Sequence, residues 1–446
     1  MTEALTGLSR YLLAIFIVFY TFHCFIVFAF KSGRERTLFY VFQYVLLFLT
    51  HVLGFYVLSV RLNDPDLMFT CALQEVMFLA VIALYLVIYP GSSRLVTNNM
   101  CYLLAVSFIM LTRLSRNRSV KQFIIVAFSL ALTMIIPFLI GKIEHFIKKY
   151  TMYYGIGGIL ILLFMMTKGT VTNGSKITLT IAGFTFAPSE FVKILFVFFI
   201  AGMLIPDYEE EVSERRGRII AAVLISCLHI GILVLCKDLG GALIFYIVAL
   251  FMFYVGLRMP LILAGGALAG VLSCLAGYRL FSHVRVRVAA FLDPFKDVGG
   301  QGYQLAQSLF AIGTGSWSGM GLGLGSPDKI PVVVQDFIFS AVSEEMGAFF
   351  AMCLILICLS NFLMFMNISM SLNDRYFKLI ALGLAVNYGF QIFLTIGGVT
   401  KFIPLTGVTL PLVSYGGTSV VSTLIMFAII QGLYVYCRNR SETGGL

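Results

Sequence analysis

The chain is divided into apolar runs of the length that an α-helix needs to cross a hydrocarbon core, about 20 residues for about 30 Å. Such runs lie at 11–30, 37–60, 67–89, 98–112, 123–140, 153–167, 189–206, 219–236, 240–256, 260–277, 347–367, 379–396 and 418–437. Thirteen of them in 446 residues leave little chain for a separate soluble domain. Several contain Gly or Pro, which membrane helices tolerate where neighbours satisfy the freed backbone groups. Only 12% of residues are charged, against about 25% in a soluble domain. The expected fold class is therefore an all-α polytopic membrane protein. The first run, Tyr11 to Phe30, lacks a small-residue cleavage site and is expected to be a span rather than a signal peptide.

The formal net charge of +10 would suggest nucleic acid in a soluble chain. In a membrane chain it belongs to loops that set orientation and face anionic lipid, so no nucleic-acid partner is expected. With a cytoplasmic C-terminus, alternation places Lys31/Arg34/Arg36, Lys142/Lys148/Lys149, Arg215/Arg216/Arg218, Arg258, Arg375/Lys378 and Arg438/Arg440 inside. Asp64 and Asp66, the N-terminus and the stretches 168–188, 278–346 and 397–417 then lie outside. One loop opposes this pattern, because Arg113, Arg116, Arg118 and Lys121 fall outside too. The short tail, 438–446, is expected to be cytoplasmic and without regular structure.

Residues 1–97, with the first three runs, read as an added module. They carry His23, Gln43, His51 and Glu75 inside apolar segments. Ionisable groups within a membrane are functional candidates by default, but a packing contact with a neighbouring helix is the preferred reading here. The five His show no metal-ligand spacing, and the nine Cys include no CxxC, so no metal site is expected and the cysteines read as small hydrophobes.

The chemistry-bearing residues cluster where the apolar pattern breaks. Asn173-Gly174 marks a turn, and the alternation after it predicts a short hairpin leading to Pro188, a helix start. Glu190 and Lys193, three apart, share one helix face and can neutralise each other. Lys237-Asp238 is either a tight turn between helices or a charged pair beside a polar cavity. Arg285 and Arg287 would face one side of an extended segment, and two guanidiniums suit phosphate. The stretch from Gly299 to Gly325 mixes glycines with Gln304, Gln307 and Ser308; without GxxxxGK[ST] it reads as an interfacial or re-entrant segment. Asp336, flanked by Val332-Val333-Val334-Gln335 and Phe337-Ile338-Phe339, should have a pKa raised by desolvation, as a general base acting on a hydroxyl can use. Glu344 and Glu345 read as acids at a helix start. Two prolines and five glycines across 397–417, with Ser414 near its end, predict a broken segment lining an external cavity.

Four stretches together resemble the signatures of the SEDS family (shape, elongation, division and sporulation) of the FtsW/RodA/SpoVE type: FAPSEFVKI, KDLGGALI, the run from FLDPF through QDFIFSAVSEEMG, and GVTLPLVSYGG. The resemblance covers roughly 98–437, and implies a ten-helix core with the large external loop 278–346, preceded by about three extra helices. It implies a peptidoglycan glycosyltransferase that polymerises lipid II outside the membrane, with Asp336 deprotonating the acceptor GlcNAc 4-hydroxyl for attack on the donor MurNAc. It makes Asp328 a second carboxylate, and matches Glu190 and Lys193 to the PSE-x-x-K element and Asp238 to the DLG acid. Arg285 and Arg287 become candidates for gripping the lipid pyrophosphate, with Gln304, Gln307 and Ser414 as further substrate contacts. Departures stand at Thr178, where many members have Trp, at Ala187 for Gln, at Lys237 for Pro, and at Thr406, where division-type members have Lys. A class B penicillin-binding protein is the implied partner in the bacterial cell membrane. No cofactor is evident, with Mg2+ or Mn2+ left open. The competing readings are a lipid II flippase and a non-catalytic scaffold for the transpeptidase.

Overall fold

The structure, a computed structural model, describes residues 2–30, 33–142, 148–172, 175–181, 184–205, 212–300 and 302–442. In chain order come α1 (Thr2–Ala29), α2 (Gly33–Leu62), α3 (Asp66–Ile88), α4 (Arg94–Leu114), α5 (Arg116–Thr133), α6 (Ile136–Lys142) and α7 (Thr151–Lys168). Three strands follow, β1 (Thr170–Thr172), β2 (Ser175–Ile181) and β3 (Phe184–Phe186). Then come α8 (Ser189–Leu204), α9 (Val212–Leu235), α10 (Leu239–Leu257), α11 (Pro260–Leu280), α12 (Ser282–Leu292), α13 (Tyr303–Gly315), α14 (Ile338–Met346), α15 (Ala348–Ser371), α16 (Arg375–Val399) and α17 (Gly417–Glu442).

Among the described residues, twelve helical stretches are long and apolar enough to cross a membrane. The remaining expected span, 189–206, forms α8, whose 16 residues reach only about 24 Å. Protein covers it instead: Val192, Phe196, Val197, Phe199 and Ile200 are all buried. The expected hairpin forms, with β1 and β2 antiparallel and Thr170 opposite Thr178; its predicted turn, Asn173-Gly174, lies outside the described residues. The tail is helical as far as Glu442, because Arg438 and Asn439 are helix-compatible even where the apolar run has ended.

By packing, the chain forms two units that each combine distant segments. One comprises 1–131, 286–364 and 392–416. At its centre is α4, buried along its whole length from Leu95 to Thr112. A helix carrying Asn98, Asn99 and Ser107 can sit there because neighbours satisfy most of its side-chain polar groups, Asn98 Oδ1 excepted. Asn99 Oδ1 accepts from the Tyr20 hydroxyl at 3.0 Å, and its amide donates to Ser360 Oγ at 2.6 Å. Asn98 donates to Gln43 Oε1 at 2.7 Å. The polar residues of α1 and α2 thus serve the centre of the unit rather than solvent.

The other unit comprises 132–285, 365–391 and 417–446. Its core joins α8, α9 and α10 through the rings of Phe196, His229 and Phe245. At its periphery α11 buries no residue, as suits an apolar helix surrounded by lipid.

Candidate active site

Asp336 stands in the first unit, on a turn just before α14. The turn closes through Gln335 N–H and Asp336 N–H, which donate to the Val332 carbonyl at 3.0 and 3.2 Å. Val332 itself has φ of 57°, an uncommon conformation for a β-branched residue that needs support from its surroundings. That support comes from the segment 397–416. Tyr415 N–H donates to the Val334 carbonyl at 2.7 Å, and Ser414 Oγ donates to the Gln335 carbonyl at 2.5 Å. Gln122 holds the clamp from below, donating to the Ser414 carbonyl at 3.0 Å and accepting from Gly416 N–H at 3.2 Å. The two carbonyls immediately before Asp336 are therefore fixed by a different part of the chain.

The Asp336 carboxyl is half-buried. Burial pushes its pKa up to about 6, and the guanidinium of Arg287 opposes the rise. Arg287 Nη1 donates to the Thr406 carbonyl at 3.1 Å. Gly407 follows with φ of 76°, and a Cβ there would lie 3.7 Å from Asp336 Oδ2 and 3.9 Å from Arg287 Nη2. Acid, guanidinium and a bare stretch of backbone thus share one place. Among the described residues, no hydrogen-bond donor is spent on the Asp336 carboxylate, which leaves its oxygens able to receive a proton.

Arg285 does not join this group. The segment holding both arginines is the helix α12, not an extended strand. Two residues on a helix are about 200° apart, so the guanidiniums leave different faces; that of Arg285 donates to the Arg279 carbonyl at 2.8 Å. The Val-Arg-Val-Arg-Val alternation is a period-two pattern, but five residues of it do not outweigh the helix that continues to Leu292.

The remaining residues of the loop divide by their surroundings. Gln304 is exposed and Gln307 half-buried on one face of α13, while Ser308 points inward to Ser340 Oγ at 2.7 Å and the Val399 carbonyl at 2.9 Å. Ser414 is buried, and its hydroxyl is committed to backbone on both sides, accepting from Leu410 N–H as well as donating to Gln335. These bonds hold the turn that carries Asp336. Asp328 is exposed and lies 3.8 Å from Arg113 Nη1.

Glu344 and Glu345 occupy the last turn of α14, not a helix start. Acids there face the negative end of the helix dipole, so they require compensation. Arg113 Nε donates to Glu345 Oε1 at 2.9 Å, Gly323 N–H to Glu345 Oε2 at 2.9 Å, and Ser326 N–H to Glu344 Oε1 at 2.7 Å. Burial nonetheless raises the Glu345 pKa above the usual carboxylate range. These two acids anchor the glycine-rich segment, whose Gly319 has φ of 78° and no room for a Cβ beside the Glu345 carbonyl. Sequence reasoning missed Arg113, Gln122 and Gly407. A signal existed for the first: its loop violated the charge pattern. Arg113 pairs with Glu345 and Arg116 with Asp64, while Arg118 lies over the Tyr415 ring, so most of these charges are engaged within the protein and say little about orientation.

In the second unit, Lys193 Nζ lies 2.9 Å from Glu190 Oε2 and donates to Gln391 Oε1 at 3.0 Å, and Ser422 Oγ donates to Glu190 at 3.1 Å. The pair expected on one face of α8 therefore forms, with Lys193 buried, Glu190 half-buried and two other helices supplying their further partners. Asp238 caps α10, accepting from Gly241 N–H at 2.9 Å, with Lys237 at φ of 62° completing the tight turn.

Comparison with known proteins agrees with this architecture. The chain is 33% identical over 313 residues to the peptidoglycan glycosyltransferase RodA of Mycobacterium tuberculosis, an alignment covering 67% of this chain and 66% of that protein. It spans just under two thirds of the length of these mycobacterial relatives. It is 32% identical over 286 residues to stage V sporulation protein E of Bacillus subtilis, covering 63% of this chain and 77% of the relative. Among solved structures, a chain of a peptidoglycan synthase complex superposes with a TM-score of 0.64 at 23% identity, covering 78% of this chain and 98% of that one. The rod shape determining protein RodA of Thermus thermophilus superposes with a TM-score of 0.56 at 20% identity, covering 78% and 97%. At such identities the likeness concerns the fold. The profile of the FtsW/RodA/SpoVE family, described as cell cycle protein, matches residues 93–439. That match takes in well over half of the sequence, and the chain belongs to the FtsW/RodA/SpoVE family.

Proposed function

We propose that this multi-pass membrane protein is a peptidoglycan glycosyltransferase that polymerises lipid II, with Asp336 as general base. The observation that carries the reading is the half-buried carboxyl of Asp336, held on a clamped turn beside the guanidinium of Arg287 and raised to about 6. At neutral pH such a group is mostly ionised yet basic enough to take a proton from a hydroxyl as it attacks. The acceptor GlcNAc 4-oxygen forms a bond to C1 of the donor MurNAc and gives its proton to Asp336. The bond from C1 to the lipid pyrophosphate breaks with inversion, and the electron pair leaves with the pyrophosphate. Arg287 supplies positive charge where that leaving group develops negative charge. Where Mg2+ or Mn2+ takes part, Asp336 is the carboxylate that would hold it, and the cation would supply further positive charge for the leaving pyrophosphate.

The relatives named as peptidoglycan glycosyltransferases support the reaction class, and likeness to a chain of a peptidoglycan synthase complex supports a class B penicillin-binding protein as partner. The orientation that goes with this reaction counts the short, protein-enclosed α8 as a thirteenth crossing, with the C-terminus cytoplasmic, the N-terminus and 278–346 outside, and Asp336 at the outer surface. The test is polymerisation of fluorescent lipid II by the purified full chain, alone and with a transpeptidase. Asp336→Ala should lower the rate by about 100-fold to 10,000-fold, the range of a lost general base. Glycan made by the variant at the wild-type rate would refute the assignment, and lipid II crossing vesicles with no polymer formed would replace it with a flippase.

A further inference from the structure

A second cluster lies in the first unit, in helices α2 and α3 that precede the family match. Cys71 and Glu75 stand one turn apart on the same face of α3, and His51 of α2 meets both. His51 Nδ1 is 2.7 Å from Glu75 Oε1 and 3.7 Å from Cys71 Sγ, and the three ligand atoms all lie within 4.8 Å of one another. His51 Nε2 is 3.0 Å from the Oε1 of Gln74, which is fully buried. With that oxygen accepting from Nε2–H, the Nδ1 lone pair is directed at Glu75 and Cys71. This is the arrangement by which an outer amide orients a metal-ligating imidazole. Glu75 Oε2 is buried and without a hydrogen-bond partner. The rings of Phe55 and Phe78 enclose the histidine at 4.8 and 5.4 Å.

We propose that α2 and α3 bind one zinc-class divalent cation through His51 Nδ1, Cys71 Sγ and Glu75. Imidazole, thiolate and carboxylate together are the donor set of Zn2+. Tetrahedral zinc separates N and O ligands by about 3.3 Å, N and S by about 3.5 Å and S and O by about 3.6 Å, so binding requires the His51–Glu75 contact to open by about half an ångström and the Cys71 thiol and Glu75 carboxyl to come within about 3.6 Å. Charge favours the site as well. With a neutral imidazole, a thiolate and a carboxylate, the bound cation brings the cluster to zero net charge, the state an apolar surrounding tolerates best. Thiolate and carboxylate are the ligating forms, so the cation displaces whatever protons those groups carry in the metal-free cluster, and charge balances. The remaining coordination position is open to the second Glu75 oxygen or to water.

The experiment uses tag-free full-length protein in nanodiscs, stripped with a chelator and titrated with Zn2+ or with Co2+ as a spectroscopic probe. One equivalent of metal should be retained, and Co2+ should give a thiolate-to-cobalt charge-transfer band. Cys71→Ser should abolish that band, and Gln74→Leu should weaken Zn2+ binding by about 10-fold to 100-fold, the usual effect of removing an outer partner. Because Cys71→Ser could disturb packing, the wild-type Co2+ spectrum and the Gln74→Leu affinity each stand as tests on their own. Metal retention equal to that of the triple variant His51→Ala/Cys71→Ser/Glu75→Gln, or a Co2+ spectrum without a thiolate band, would overturn the proposal. Since the cluster is remote in sequence from Asp336, this outcome is independent of whether lipid II is polymerised.

Discussion

Replacing Arg287 by Gln tests the electrostatics of the site directly. Asp336 Oδ2 and Arg287 Nη2 lie 3.7 and 3.9 Å from the same point at Gly407, so the two charges are less than about 8 Å apart. At an effective dielectric constant of about 20, their attraction is about 2 kcal/mol, equivalent to about 1.5 pH units on the carboxyl. The guanidinium opposes a rise caused by burial, so its removal must move the carboxyl further upward. The base is active when ionised. The acid limb of the polymerisation rate, centred at about pH 6 in the wild type, should then move to about pH 7.5. At pH 7 the ionised fraction falls from about nine-tenths to about a quarter, a loss of about fourfold from protonation alone. Weaker stabilisation of the leaving pyrophosphate adds to it and persists at high pH. The assay is initial-rate polymerisation of fluorescent lipid II between pH 5 and 9 for both proteins. An Arg287→Gln profile whose midpoint stays in place would refute the reasoning, whatever its height.

Three further outcomes follow from the same geometry. Asp336→Asn should stabilise the fold: burial raises the folded-state pKa from about 3.9 to about 6, so the ionised wild type carries a cost of up to about 3 kcal/mol above pH 6 that fades below pH 4. Melting curves at pH 8 and pH 5 should show the gain shrinking as pH falls. Glu345→Ala leaves the half-buried Arg113 with only the exposed Asp328 and the Gly325 carbonyl and should destabilise by about 1–3 kcal/mol, whereas adding Arg113→Ala should recover part of the loss, as a double-mutant cycle in melting temperature would reveal. Gly407→Val would place a β-branched residue at φ of 76° against Asp336 and Arg287, and should cost at least about 1 kcal/mol in stability together with most of the polymerisation rate; a fully active variant would show that Gly407 lies away from the reacting groups.

Much of the site was legible in the chain before folding was considered. Asp336 stands between two apolar flanks, and desolvation of an acid in such a position follows from composition alone. Glu190 and Lys193 met as their three-residue spacing required. The pairing of Arg285 with Arg287 failed because the spacing argument depends on the local period, and a helix replaced the strand. Glu344 and Glu345 were misplaced for a related reason: the break at Gly347 falls after them, so a supposed helix start is a helix end. Arg113 was visible only as a violation of the charge pattern, since its partner lies 232 residues away.

The sequence by itself determined that the chain crosses a membrane many times, because a bilayer's thickness converts directly into a length of apolar helix, and it marked the acid on which the proposed chemistry rests. Only the tertiary structure decided what stands beside that acid. Gln122 and Ser414 clamp its turn, Thr406 and Gly407 receive Arg287, and His51 meets Cys71 and Glu75, because these neighbours come from different helices and loops. A helix's period is written locally in its residues. Which of its faces meets which other segment depends on how all the helices pack at once.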